Sequence, residues 1–290
     1  MGTFTAALIQ TRSGDDPAAN LATVERMVRQ AVDAGADVVL TPENVLLMSP
    51  NRQTTLAQAR PEEEHEGLAR MARVAREAGI WLLLGSIHVR LDGDRLANRS
   101  VLLDPEGAIA ARYDKIHMFD VSLAGGESYR ESATFRPGEQ AVLAATPWAV
   151  FGLTVCYDVR FPALYRALAQ AGAAVLTVPS AFTRQTGHAH WHSLLRARAI
   201  ETGSWVLAPA QCGLCVAGRD TYGHSLVVSP WGEMVADGGE EPGIVMAQID
   251  TEAVAKARTA IPSLTHDRPF APPVPVGWTE SAPEGARLAN

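Results

Sequence analysis

Three side chains of complementary chemistry stand just past three different predicted strands: Glu43 after "DVVL", Lys115 after "AIAARYD" and Cys156 after the apolar run from Ala149 to Val155. The cysteine is followed by a polar turn, Tyr157-Asp158-Val159-Arg160, and Pro162 then opens the helical run "PALYRALAQAG". Proline is tolerated at the first helical position because its missing N–H would have no partner there. A thiol between a strand's end and a helix's start sits where an α/β architecture leaves side chains free for chemistry. As a thiolate it attacks carbonyl or nitrile carbon, but a free thiol with a reference pKa of about 8.5 is mostly protonated at neutral pH. It needs a base. Glu43, raised by partial burial from its reference of about 4.3, could take the thiol proton and later deprotonate the hydrolytic water. Lys115 would supply a cation for the developing oxyanion, together with a backbone N–H, that of Tyr157, each such donor being worth about 3 kcal/mol. Plainer readings stand beside these: Glu43 as a solvated turn residue, Lys115 as a surface charge. His117, in "YDKIHMFD", is the rival base.

The elements that must position these groups follow from periodicity. "TFTAALIQ" reads as a strand, and "PAANLATVERMVRQAVDAGA" as an amphipathic helix with Leu21, Val24, Met27, Val28 and Val32 on one face, ending at Gly35. A buried strand from Asp37 to Leu40, a helix from His65 to Ala78 ending at Gly79, and the long strand "IWLLLGSIHVR" come next. A meander of "NRSVLLD" and "AIAARYD", with turns at Asp92-Gly93 and Pro105-Glu106-Gly107, leads to Lys115. The glycine-rich stretch Asp120 to Gln140, which holds Glu127 and Glu131, is too polar for a core element and is expected to cover or line a site. After Cys156 and its helix come the strand "AAVLTVPSAF", a helix "TRQTGHAHWHSLLRARAIETG" closed by Gly203, the strand "SWVLAPAQCG", a hairpin turning at Pro230-Trp231-Gly232, the strand "GIVMAQID" and a short last helix. Repetition of strand, helix and strand predicts one sheet layer or two between helices.

Composition narrows the function. The chain has 290 residues, 47% hydrophobic and 20% charged, as expected of a globular protein with one full core. A net charge of -7 excludes nonspecific nucleic-acid binding, which needs a basic surface. "MGTFTAALIQ" lacks a basic n-region with a long apolar run, and no segment has the length of a membrane span, so a cytoplasmic location with no membrane partner is expected. Three cysteines form no disulfide framework. Cys212 and Cys215 make a lone C-x-x-C without the second pair of ligands that zinc requires, and small buried thiols are the plain alternative. His188 and His192 share a helical face, but no carboxylate joins them at ligand spacing on it, and no metal is expected.

Together, "TPEN" around Glu43, "RYDKIHMFDV" around Lys115, "GLTVCYDVRFP" around Cys156, "TGHAHWHSLLRARAIE" and "YGHSLVVSPWGE" resemble the nitrilase superfamily of carbon–nitrogen hydrolases. The resemblance runs from the first strand to about Arg268, giving a domain over 1–268 and a tail over 269–290. It implies an α/β fold, a four-layer αββα sandwich of two mixed sheets flanked by helices. It implies a Glu43, Lys115, Cys156 triad, a thioester acyl-enzyme, no cofactor, and a homodimer or higher homo-oligomer with the tail crossing to the partner. Glu131, in "YRES", stands where the family often has a second glutamate that helps position the lysine, with Glu127 as the alternative. "CYDVRFP" resembles the amidase branch acting on deaminated glutathione or the ω-amides of 2-oxo acids, with release of ammonia, and "LLRARAIETGSWVLAPAQCG" leans toward the former. In that branch Arg160 is matched to the substrate carboxylate, and Tyr157, Phe182 and Thr183 to the pocket; Ala163 stands where relatives commonly carry glutamate. An N-carbamoyl amidohydrolase and a catalytically silent binding protein of the same fold are the alternatives.

Overall fold

The computed structural model describes residues 2–49, 51–123, 126–215 and 219–273. The chain opens with β1 (Thr3–Gln10), α1 (Pro17–Asp33) and β2 (Val38–Leu40), then α2 (Arg52–Gln58), α3 (Glu66–Ala78), β3 (Trp81–Arg90), β4 (Leu96–Leu103) and β5 (Ile109–Asp114). A small hairpin, β6 (Asp120–Ser122) with β7 (Ser128–Arg130), leads to β8 (Val142–Ala145), β9 (Val150–Leu153), α4 (Pro162–Gln170), β10 (Val175–Thr177), α5 (Arg184–Thr202) and β11 (Trp205–Ala208). A second hairpin, β12 (Cys212–Leu214) with β13 (Asp220–Tyr222), precedes β14 (Leu226–Val228), β15 (Met234–Asp237), β16 (Gly243–Asp250) and α6 (Glu252–Ala260).

Six strands in the order β16-β1-β2-β3-β4-β5 make one sheet, and six in the order β15-β14-β11-β10-β9-β8 make the other. Both are mixed. The central trios β1-β2-β3 and β9-β10-β11 are parallel, and the flanking pairs antiparallel. Because side chains alternate across a strand, β1 divides its apolar residues between two layers. Phe4, Ala6 and Leu8 pack toward the second sheet, while Ala7 and Ile9 join Val24, Met27 and Val28 of α1 and Met71 and Val74 of α3. β3 splits the same way, Leu83 inward and Leu82 and Leu84 toward the helices. On the far side, strands of the second sheet share their cluster with Tyr165 and Leu168 of α4 and Trp191 and Leu195 of α5. The layers are helices, sheet, sheet, helices, the expected αββα sandwich.

Helix ends follow local chemistry. α3 and α5 stop at Gly79 (φ 65) and Gly203 (φ 58), left-handed positions whose N–H groups bond back to Ala75 and Ala199 carbonyls. α2 was not visible in the pattern; Asn51 starts it by accepting from the N–H groups of Gln53 and Thr54. The Asp120 to Gln140 stretch, expected to be irregular, contains the β6–β7 hairpin. Asp267, beyond α6, ion-pairs with Arg166 of α4 and accepts from Gln170. The rest of the tail, residues 274–290, lies outside the described residues.

The two sheets meet closely at the end that matters. A Cβ placed on Gly85 of β3 would lie 2.0 Å from the Thr41 carbonyl oxygen and 2.5 Å from Pro179, which follows β10 in the other sheet. Only a residue without a side chain lets the chain entering Glu43 lie this near the second sheet. Gly85→Ala is therefore expected to cost about 1–3 kcal/mol through overpacking, read as a lower urea midpoint, together with a loss of activity. An unchanged midpoint would show that the strand ends are not held by this approach.

Candidate active site

Glu43 begins the loop after β2, Lys115 directly follows β5, and Cys156 lies three residues beyond β9. Folding brings all three to one cavity of about 290 Å³. Lys115 Nζ donates to Glu43 Oε1 at 2.9 Å and to Glu131 Oε2 at 2.8 Å, with the Lys115 side chain 1% and the Glu43 side chain 3% exposed. Asn98 Nδ2, on β4, donates to both carboxylates at 3.0 Å. Backbone groups complete the shell: the Ala181 N–H donates to Glu43 Oε2 at 2.9 Å, and the Phe119 N–H to Glu131 Oε2 at 2.7 Å. Gln211 donates to the Glu43 carbonyl at 3.0 Å, anchoring the loop to the second sheet's side.

Cys156 has φ 50, in the left-handed region that non-glycine residues rarely occupy. Such a conformation costs about 1–3 kcal/mol and persists only where neighbours enforce it. Here the Cys156 N–H bonds to the Pro179 carbonyl at 2.9 Å, and buried Asp158 draws in the Val155 N–H at 2.8 Å, the Tyr113 hydroxyl at 2.7 Å and the His117 N–H at 3.0 Å. Asp158 thus ties the turn bearing Cys156 to the strand end bearing Lys115. Asn44, beside Glu43, is left-handed too (φ 58), fixed by Ser86 and by His88 Nε2 at 2.8 Å.

The ionisation pattern follows from burial and neighbours. Burial alone would raise Glu43, but Lys115 outweighs it and holds the carboxyl below its ordinary value, the opposite of the rise expected from the sequence. For Lys115 burial works downward, yet Glu131 and Glu43 overcome it and the ammonium is stabilised. Burial, with the negative Glu43 beside it, pushes the Cys156 thiol up, Lys115 opposing. The resting set is carboxylate, ammonium and neutral thiol, the thiol lying in the electrostatic field of both Glu43 and Lys115. Burial lowers His88 to about 4, so it is a neutral imidazole at physiological pH.

Of the other residues singled out, Glu131, Tyr157, Phe182 and Thr183 line the cavity with the three. Glu127 is exposed, hydrogen-bonded to the Tyr129 hydroxyl. Arg160 is not among the lining residues; its guanidinium lies 5.7 Å from the Tyr157 ring centre and 5.5 Å from that of Phe182, behind two residues that do line it. His117 is held by Asp158 Oδ1 at 2.7 Å and stacked on Phe161 at 3.5 Å, away from the thiol. Cys212 and Cys215 are buried and unbridged. Sequence reasoning missed Asn98, His88 and Arg219, the last also on the cavity wall. It also missed that Asp237, from β15, reaches His192 at 3.1 Å and His224 at 2.9 Å, a carboxylate supplied from a distant strand rather than from the helix face.

Comparison with known proteins gives this geometry a lineage. The profile of the family described as Carbon-nitrogen hydrolase matches residues 5–259. The chain is 40% identical over 265 residues to the deaminated glutathione amidase of Yersinia enterocolitica, covering 90% of this chain and 92% of that one. The crystal structure of the C. elegans NitFhit protein superposes with a TM-score of 0.86 at 34% identity over 92% of this chain, which spans 66% of that longer protein, just short of two thirds. A mutant of the amidase from Nesterenkonia sp. AN1, TM-score 0.75 and 29% identity over 89% of this chain and 98% of that one, shows the result of Michael addition of acrylamide at its active site cysteine. A match of this extent to both sequence and fold places the chain in the carbon–nitrogen hydrolase family of the nitrilase superfamily, as an enzyme of amide hydrolysis.

Proposed function

We propose that the protein hydrolyses the carboxamide of a small linear 2-oxo acid, of which deaminated glutathione is the preferred example, through a thioester on Cys156. The observation that carries this is the convergence of Glu43, Lys115 and Cys156 on one cavity wall, with Glu131 on the same ammonium. In the first half, Glu43 accepts the thiol proton as sulfur bonds to the amide carbon. The carbonyl electrons move to oxygen, where Lys115 and the Tyr157 N–H meet them. Glu43 returns the proton to the nitrogen as the C–N bond breaks. The product leaving is ammonia for a primary amide and an amine for deaminated glutathione, whose scissile amide is secondary. In the second half, Glu43 deprotonates a water that attacks the thioester, the C–S bond breaks, and the thiol takes back its proton. Glu131 and Asn98 position Lys115 and Glu43 and touch no reacting atom. Tyr157, Phe182 and Thr183 shape the pocket.

Relatives named deaminated glutathione amidase and the cysteine adduct of the Nesterenkonia amidase support this assignment. A cytoplasmic homodimer completes the proposal, with 1–268 as the catalytic domain and 269–290 as a tail that crosses to the second copy. Three unbridged cysteines favour the reducing compartment. Exposed Ile200 on α5, and Trp231 and Met234 of the hairpin packed against it through Arg196, offer an apolar face for pairing.

Cys156→Ala is expected to abolish turnover. Glu43→Gln should lower kcat/KM by about 10²–10⁴ and, after incubation with a 2-oxo acid amide, carry an added mass equal to the acyl group on Cys156; hydrolysis persisting in Cys156→Ala would refute the thioester route. A depressed carboxyl stays ionised until pH falls through its lowered value, so kcat/KM should hold level down through the ordinary carboxylate range and decline only below it. An acid limb near 6.5 in the pH–rate profile would instead assign the base to a histidine.

A further inference from the structure

Three buried side-chain polar atoms among the described residues lack a hydrogen-bond partner: His88 Nδ1, Asn98 Oδ1 and Arg219 Nε. Each belongs to a residue of the cavity wall or of the carboxylate shell. Arg219 stands apart because it is a permanent cation. A guanidinium has five N–H groups, and only Nη2 of this one finds an acceptor among the described residues, the Ala181 carbonyl at 2.9 Å. Its Cζ lies 5.4 Å from the centre of the Tyr129 ring, a cation–π approach. Arg219 is half-buried, and its Nε is buried with no acceptor among the described residues, which native structures rarely allow. Here the shortage is on the wall of a substrate-sized cavity.

The other cations are spoken for or displaced. Lys115 is shared between two carboxylates. Arg130 lines the cavity but is exposed, and Arg160 lies behind Phe182 with its guanidinium toward His190. A substrate that carries its own carboxylate is repelled by Glu43 and Glu131, so its anionic end must face away from them. Arg219 offers a planar fork of the geometry that binds carboxylate through parallel hydrogen bonds.

We infer, building on the amidase function proposed above, that Arg219, and not Arg160, seats the carboxylate of the substrate's acyl part. Ala181 sets the spacing. Its carbonyl accepts from Arg219 while its N–H donates to Glu43 Oε2, so one residue fixes the anion seat relative to the base. The site therefore selects acyl chains of one length, with a carboxylate at one end and the amide carbon at Cys156 at the other.

The test compares glutaric acid monoamide with pentanamide, linear amides that differ by the terminal carboxylate, on wild type, Arg219→Gln, Arg219→Lys and Arg160→Gln. In the wild type kcat/KM should favour the acidic amide. Arg219→Gln should shrink that preference by about tenfold to a hundredfold, through KM for the acidic amide, and Arg219→Lys should restore part of it. Equal losses on both amides would assign Arg219 to tuning Glu43 through its charge and overturn the inference, as would a preference that collapses in Arg160→Gln and survives in Arg219→Gln. Wild type that hydrolyses pentanamide with no preference for the acidic amide would overturn the proposed substrate class itself; wild-type preference retained in Arg219→Gln overturns the anion seat alone.

Discussion

An ammonium at the bottom of a protein is tolerable only with its counter-charges in contact, and Lys115 has two. Removing a lysine from water costs several kcal/mol even after relaxation, and Glu43 and Glu131 offset this at 2.9 and 2.8 Å. Two carboxylates on one cation would repel each other were their remaining lone pairs left bare. Asn98 bridges them, the Ala181 N–H takes the outer oxygen of Glu43, and the Phe119 N–H adds a second donor to the Glu131 oxygen that Lys115 holds. Each charged member has a charged or hydrogen-bonding partner, and only the Asn98 Oδ1 of this shell is left without one among the described residues. Pairing of the charges in this way rigidifies the site, because an unpaired charge at that depth would be costly.

The constraint reaches through the whole sandwich because no single layer contains the network. Glu43, Asn98 and Lys115 belong to the first sheet's strand ends; Ala181 and Cys156 belong to those of the second. Gln211 crosses between them, accepting from Thr11 at 3.0 Å and donating to the Glu43 carbonyl at 3.0 Å. Separating the sheets would strand an ammonium and two carboxylates in a half-built environment. Stacking of the sheets and formation of the site are thus one cooperative event, and the left-handed Cys156 is held in place by the same closure.

Much of this was legible in the sequence, and what was not has a physical reason. The three reactive groups announced themselves by address, each just past an apolar strand, and glycines 79 and 203 marked helix ends because their φ values favour no other residue. α2 escaped because "RQTTLAQ" has no apolar stripe and is nucleated by a cap. Asn98 escaped because an asparagine inside a strand carries no local sign that it will face two carboxylates from other loops. The direction of Glu43's shift was misjudged for a related reason: burial can be guessed from pattern, while the proximity of a cation 72 residues away in sequence cannot. Arg219 lies in a stretch whose spacing suggests nothing.

In the proposed reaction the resting state looks unpromising: the thiol is raised and the carboxyl lowered, so the proton must move uphill from sulfur to Glu43. Lys115 makes the climb affordable. It hydrogen-bonds Glu43 and also acts electrostatically on Cys156, so negative charge leaving the carboxylate for the sulfur never leaves the ammonium's field. Glu131 keeps that ammonium anchored while Glu43 is transiently neutral, which a lone Glu–Lys pair could not do. In the proposed reaction the second glutamate thus serves the proton transfer by holding the lysine in place, although it touches neither the sulfur nor the amide.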